Sequence, residues 1–241
     1  LDVRDEEKRL EKKFEEEEED NIPDHGKFKR ADAHKPPSGW SIPYYDLESA
    51  RKFLHLLKEN EEVILVEKLH GSNFSCCYDS NELWVKSRRF YKKLSPDDMW
   101  WDIAIRYDLE TKLQKYPMHV FFGEIIGQIK GFRYDASVEN NKLLTKIYFF
   151  DIFNIASGRY LDYDDRNLIL SELGLQKAPE LYRGPWTTKE EMYKFAEGKT
   201  TINGAHLREG WVLSPVKERY EPHLNGRLKL KLVGEGYNLN K

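Results

Sequence analysis

The stretch of this 241-residue chain that carries chemistry is Val63 to Tyr78, VILVEKLHGSNFSCCY. Val63 to Val66 read as a buried strand. Glu67 and Lys68 follow where that strand gives way to a polar turn, Leu69-His70-Gly71-Ser72-Asn73. An unpaired ammonium group is costly to bury, so a lysine here suits a nucleophile better than a packing role. A lysine amine attacks only as the free base, and a site that uses one lowers its pKa by desolvation or by nearby positive charge. A second signal is Lys229-Leu230-Lys231. Period two puts both ammonium groups on one face of a strand and Leu228, Leu230 and Leu232 on the other. Two lysines aimed at one place call for an anion between them, such as a triphosphate. The competing reading is an amphipathic surface strand.

The elements that must position these groups can be read in outline. Phe74, Cys76 and Tyr78 alternate with smaller residues, which predicts a second strand and a hairpin around Lys68. Asp46 is expected to cap a helix running to Lys58, with Leu47, Ala50, Phe53, Leu54 and Leu57 on one face. Residues 83–90, LWVKSRRF, read as a third strand. Ser95, Pro96, Asp97 and Asp98 predict a helix start, with Ser95 as N-cap and acids in the first turn, running to about Lys115. Residues 118–127 and 147–153 read as buried strands, and a further helix ends at Gly174. Thr187 or Thr188 caps another helix, each fitting a capping box with Glu190 or Glu191. Residues 208–216 and 227–233 read as the last strands.

Composition bounds the function. Thirty-nine basic residues against forty-two acidic ones give a net charge of −3, so a whole-chain basic signal for nucleic acid is absent and only a local basic surface remains open. Cys76 and Cys77 are the only cysteines. Two adjacent thiols argue against a disulfide scaffold or a structural zinc site and fit an intracellular, reducing compartment, with the cytoplasm expected and an organelle still open. No apolar run has membrane-spanning length, and no signal peptide is seen. Residues 1–36 read as a charged, acidic extension and linker, with Leu10 and Phe14 as a small apolar stripe in segment 1–20. Residues 37–241 read as the folded domain. The sequence opens on Leu1 rather than Met, which raises the expectation of a fragment.

Glu67-Lys68-Leu69-His70-Gly71-Ser72-Asn73 resembles motif I of the covalent nucleotidyltransferases. That motif is Lys-x-Asp-Gly in DNA ligases and capping enzymes. Its Lys-x-His-Gly-x-Asn form resembles the RNA ligase 2 class of ATP-dependent RNA ligases. Five further stretches match that family in the expected order. Lys86-Ser87-Arg88-Arg89 resembles the segment whose arginine contacts a 5′-phosphate, with Arg88 the choice and Arg89 next. Phe122-Gly123-Glu124 resembles motif III. Tyr148-Phe149-Phe150-Asp151 resembles motif IIIa, where Phe150 matches the ring that stacks on the purine and Phe149 reads as core. Arg208-Glu209-Gly210-Trp211-Val212 resembles motif IV, and Lys229-Leu230-Lys231 motif V. The resemblance covers roughly residues 40–241. Ser214 departs from it where many relatives carry lysine. The sequence continues only ten residues past Lys231, where relatives often carry a further domain.

The resemblance implies an α+β nucleotidyltransferase (adenylation) domain: antiparallel sheets around a nucleotide cleft, with helices packed outside. It implies ATP and Mg²⁺ or Mn²⁺ as cofactors, and RNA with 5′-phosphate and 3′-hydroxyl ends as partner. An additional domain or protein for RNA engagement stays open, and no membrane partner is expected. Lys68 would become lysyl-AMP. Glu67, Leu69, His70, Asn73, Arg88, Glu124, Phe150, Glu209, Lys229 and Lys231 would bind the nucleotide, with Glu124 and Glu209 also serving a metal through water. The alternatives carried are a capping-type guanylyltransferase, a DNA ligase relative and a noncatalytic RNA-binding scaffold.

Overall fold

The computed structural model describes residues 39–95, 97–129, 132–134, 138–139, 142–203 and 206–239. The extension 1–36, with Leu10 and Phe14, lies outside the described residues. In chain order, ten strands form two sheets: β1 (Glu48–Ser49), β2 (Glu62–Lys68), β3 (Ser72–Tyr78), β4 (Leu83–Lys86), β5 (His119–Ile126), β6 (Lys146–Asn154), β7 (Arg159–Tyr160), β8 (Glu180–Pro185), β9 (Gly210–Pro215) and β10 (Leu230–Val233). One sheet has the order β1-β10-β9-β2-β8 and the other β7-β6-β5-β3-β4. Pairing within them is antiparallel except between β1 and β10.

The helices cover the outer faces. Leu65, Trp211, Leu213 and Leu230 of the first sheet are buried with Ala50 of α1 (Ala50–Phe53). Phe74, Phe121 and Phe149 of the second are buried with Ile103 of α2 (Met99–Arg106), Leu109 and Leu113 of α3 (Leu109–Leu113) and Leu170 of α4 (Tyr163–Glu172). Met192 of α5 (Lys189–Lys194) joins the first cluster. Each such large apolar side chain contributes about 1.5–3 kcal/mol. Phe150 joins the two inner clusters: it packs against both the Ile64–Val66 group and the Cys77–Val120–Phe122 group.

Several expectations change. The strands on either side of Lys68 do not form a hairpin: β2 pairs with β8 and β9, while β3 pairs with β4 and β5. The polar turn carries the chain from one sheet to the other. The Asp46–Lys58 helix contracts to α1 and one 3₁₀ turn, Leu54–Leu56, because residues 48–49 are taken by the sheet edge beside β10. The strand expected over 83–90 stops at Lys86. Ser87 and Phe90 bond each other across a tight turn, so Arg88 and Arg89 sit at its tip and strand alternation does not apply to them. The helix expected from Ser95 starts later: Asp98 is its N-cap, accepting from the Trp100 and Trp101 N–H groups. It is then split at Asp108, whose φ of 51° is left-handed, before α3. Thr188, not Thr187, caps α5.

Candidate active site

Lys68 ends β2, and its register partner is Gly210, directly after Glu209. The pairing brings Lys68 Nζ to 2.7 Å from Glu209 Oε1. Gly210 permits it: its φ is +151°, and a Cβ there would lie 1.9 Å from the Leu232 carbonyl oxygen. Gly71 has the same importance on the other sheet, where a Cβ would meet the Ile125 carbonyl oxygen at 2.1 Å. The turn after Lys68 therefore packs directly on β5.

That packing brings Glu124 to Lys68. Asn73, Glu124 and Tyr148 are successive register partners across β3, β5 and β6, so their side chains share one face. Burial pushes the Glu124 carboxyl up to about 8; Lys68 pulls it down, Glu209 pushes it up, and the Gly71 N–H and Arg88 pull it down. The Trp100 indole N–H donates to the Asn73 backbone carbonyl at 2.8 Å. His70 is anchored by its backbone N–H, which donates to the Tyr134 hydroxyl at 2.8 Å, and its Nδ1 is 2.6 Å from the Tyr237 hydroxyl of α6 (Glu235–Leu239). Glu209 Oε2 is 4.0 Å from the same nitrogen.

Two motif I neighbours are otherwise engaged. The Glu67 carboxylate is buried and accepts from the Thr200 and Thr201 hydroxyls and the Thr201 N–H. Leu69 is buried with Ile126, Tyr134 and Ile202.

A bulge in β6 delivers the next pair. Phe149 pairs with Gly123 and Asp151 with Phe122, so Phe150 is the extra residue. A bulge lets consecutive residues break strict alternation. Phe149 therefore faces the outer core as expected, while Phe150 and Asp151 both serve the inner side. Arg166 of α4 donates to the Phe150 carbonyl, which satisfies the bulge.

The two motif V lysines share the face opposite Leu228, Leu230 and Leu232, but they do not converge on one point. Lys229 is buried and bonds Asp151 Oδ2 at 2.7 Å, whereas Lys231 reaches Asp46 Oδ1 at 3.1 Å. Each ammonium has its own carboxylate. Asp151 also accepts from the Tyr45 hydroxyl and from Arg227, both at 2.6 Å. Burial would raise its carboxyl, but Arg227 and Lys229 hold it well below the usual range. Burial brings Lys229 down to about 8. The sequence reading missed Asp151, Arg227, Tyr45 and Asp46 as partners. An acid inside the apolar run IYFFDIF, and the two-residue spacing of Arg227, Lys229 and Lys231, were the available signals.

A family model described as RNA ligase matches residues 61–233. The fold is similar to that of solved Naegleria gruberi RNA ligase structures. An apo mutant superposes with a TM-score of 0.70 at 21% identity, covering 83% of this chain and 57% of that one. A mutant with ATP and Mn gives 0.69 at 21%, and the ligase with PPi gives 0.69 at 22%, each covering 83% of this chain and 58% of that one. The chain thus spans less than two thirds of the length of these structures. No curated protein matches it. The two antiparallel sheets with Lys68 between them make up an RNA ligase nucleotidyltransferase-type fold. The chain belongs to the RNA ligase family.

Proposed function

We propose that the protein is an ATP-dependent RNA ligase that works through a covalent lysyl-AMP. The observation that carries this reading is the assembly of Lys68, Glu124, Glu209, Arg88 and Lys231 from five separated stretches into one charged group, in which Asp46 links Arg88 to Lys231. Lys68 Nζ attacks the α-phosphorus of ATP, a P–N bond forms, the amine loses its proton and pyrophosphate leaves. An RNA 5′-phosphate oxygen then attacks the same phosphorus, and Lys68 leaves with a proton. The RNA 3′-hydroxyl attacks the activated 5′-phosphate, and AMP departs. Such phosphoryl transfers depend on positioning and on neutralising charge. Lys231 and Arg88 supply fixed positive charge for phosphates, Asn73 a hydrogen bond to the α-phosphate, His70 an orienting contact for the ribose, and Phe150 a purine-facing ring. Lys229 acts from behind, with Asp151.

Glu124 and Glu209 are the acids that face Lys68. Among the described residues no cluster of three or more His, Cys, Asp or Glu side chains is placed to hold a metal ion. Two carboxylates suit Mg²⁺ or Mn²⁺, which keeps much of its water and takes phosphate oxygens; such an ion, when bound, supplies charge neutralisation. Structures of the Naegleria ligase with ATP and Mn and with AMP and Mn support the same choice of ligands. No helix among the described residues is long and apolar enough to cross a membrane.

The test is incubation with α-labelled ATP or GTP and Mg²⁺, then a denaturing gel, then addition of nicked and single-stranded RNA or, in parallel, nicked DNA, each bearing a 5′-phosphate and 3′-hydroxyl. The reading predicts label from ATP that chases onto RNA and into sealed product. Label from GTP alone would make it a guanylyltransferase. Label that chases only onto DNA would make it a DNA ligase. A folded protein with no label and no prior AMP by mass would make it a scaffold.

A further inference from the structure

Of three consecutive residues, Tyr44 and Asp46 approach the cations assigned above to phosphate, and Tyr45 between them approaches Lys229. The Tyr44 ring lies 5.5 Å from the Arg88 guanidinium carbon. Tyr45 donates to Asp151, the partner of Lys229, and its ring centre is 6.0 Å from Lys229 Nζ. Asp46 Oδ1 is 3.1 Å from Lys231 Nζ and 3.4 Å from Arg88 Nη2. The backbone fixes this approach: Ser49 is the register partner of Lys231 where β1 joins β10, and the Leu47 N–H donates to Asp46 Oδ1 at 2.8 Å. One carboxylate oxygen thus bridges two cations that come from different sheets. It is half-exposed, unlike Asp151, which is buried and committed to the fold. Burial would raise the Asp46 carboxyl, but the Leu47 N–H, Lys231 and Arg88 hold it below its usual value.

A carboxylate held between Lys and Arg has the charge and oxygen geometry of a phosphate edge. We propose that Asp46 occupies the phosphate position of the nucleotide-free protein and that the incoming nucleotide phosphate displaces it from Lys231 and Arg88. Asp46 is then a positioning residue that holds the two cations together and ordered, at a cost to nucleotide affinity. This inference rests on the nucleotide site proposed above.

The experiment measures binding of Mg²⁺–ATP and of pyrophosphate by calorimetry to the Lys68→Ala protein, with and without Asp46→Asn. Removing the competitor lowers both dissociation constants by about fivefold, the scale of two exposed ion pairs. Asp46→Ala, which leaves no acceptor, gives at least the same gain. The gain shrinks when Lys231→Ala is added, because only the Arg88 contact is then left to compete for, which a merely structural role for Asp46 would not produce. Unchanged or weaker binding in both Asp46 variants overturns the proposal, as does a gain that is undiminished without Lys231. If Lys68→Ala binds neither ligand, the nucleotide site itself fails and the inference falls with it.

Discussion

Lys68 Nζ lies 2.7 Å from Glu209 Oε1, and the contact is made by two strands of one sheet whose register aligns Lys68 with Gly210. The ammonium group is therefore held by a carboxylate delivered from a stretch 141 positions further along the chain (209 − 68). In the proposed reaction, attack on phosphorus requires that partnership to loosen while the amine keeps its place. Glu209→Ala is expected to cut the rate of lysyl-AMP formation about a hundredfold, the scale of losing one preorganised electrostatic partner. The readout is the initial rate of labelling with α-labelled ATP. A near-normal rate would remove Glu209 from the chemistry.

Lys229 and Arg227 both depend on Asp151. Asp151→Ala strands the buried Lys229 ammonium and leaves Arg227 only Glu218 of its two carboxylates, and removing one partner of a buried pair costs about 3–5 kcal/mol. Urea denaturation should show a midpoint shift of that size with an unchanged slope. A shift no larger than that of a surface substitution would show that the cluster is not holding the sheets.

Glu124 makes stability depend on pH in a defined direction. Its carboxyl is raised to about 8 in the folded protein from about 4.5 unfolded. Between those values the folded chain binds the extra proton, so this contribution is full below pH 4.5 and is lost as pH rises through 8. Glu124→Gln should flatten that fall in the nucleotide-free protein, so that the variant gains on the wild type in thermal melts as pH increases from 5 to 8. Parallel curves would contradict the assignment.

Gly71→Ala tests the turn that carries the chain between the sheets. Its Cβ would meet the Ile125 carbonyl oxygen at 2.1 Å, too close without backbone movement. A loss of about 2 kcal/mol or more in stability is expected, together with a loss of adduct formation, because the displaced turn carries His70 and Asn73. Wild-type stability and labelling would show that β5 can give way.

Most of the stretches singled out in the sequence sit at a strand end or on a strand face, where period two and apolar runs are strong signals; Arg88 and Arg89, at a turn tip, do not. Lys68, Glu124 and Glu209 could be picked out from local sequence alone once their order was considered. The pairing could not. VILVEK and SNFSCCY read as a hairpin by proximity, yet β2 and β3 enter different sheets, since a tight Gly71 contact on β5 outweighs local pairing. The two motif V lysines alternate as predicted, but their partners Asp151 and Asp46 lie 78 and 185 positions away and leave no local mark. The bulge at Phe150 was likewise invisible, because nothing in IYFFDIF separates a bulged strand from a regular one.

The most direct measurement is peptide mapping by mass spectrometry after incubation with ATP and Mg²⁺, on the wild type and on Lys68→Ala. One adenylate is expected on the peptide containing Lys68 in the wild type, released as ATP by pyrophosphate, and none on the folded variant. An adenylate on another residue, or one that survives Lys68→Ala, would contradict it.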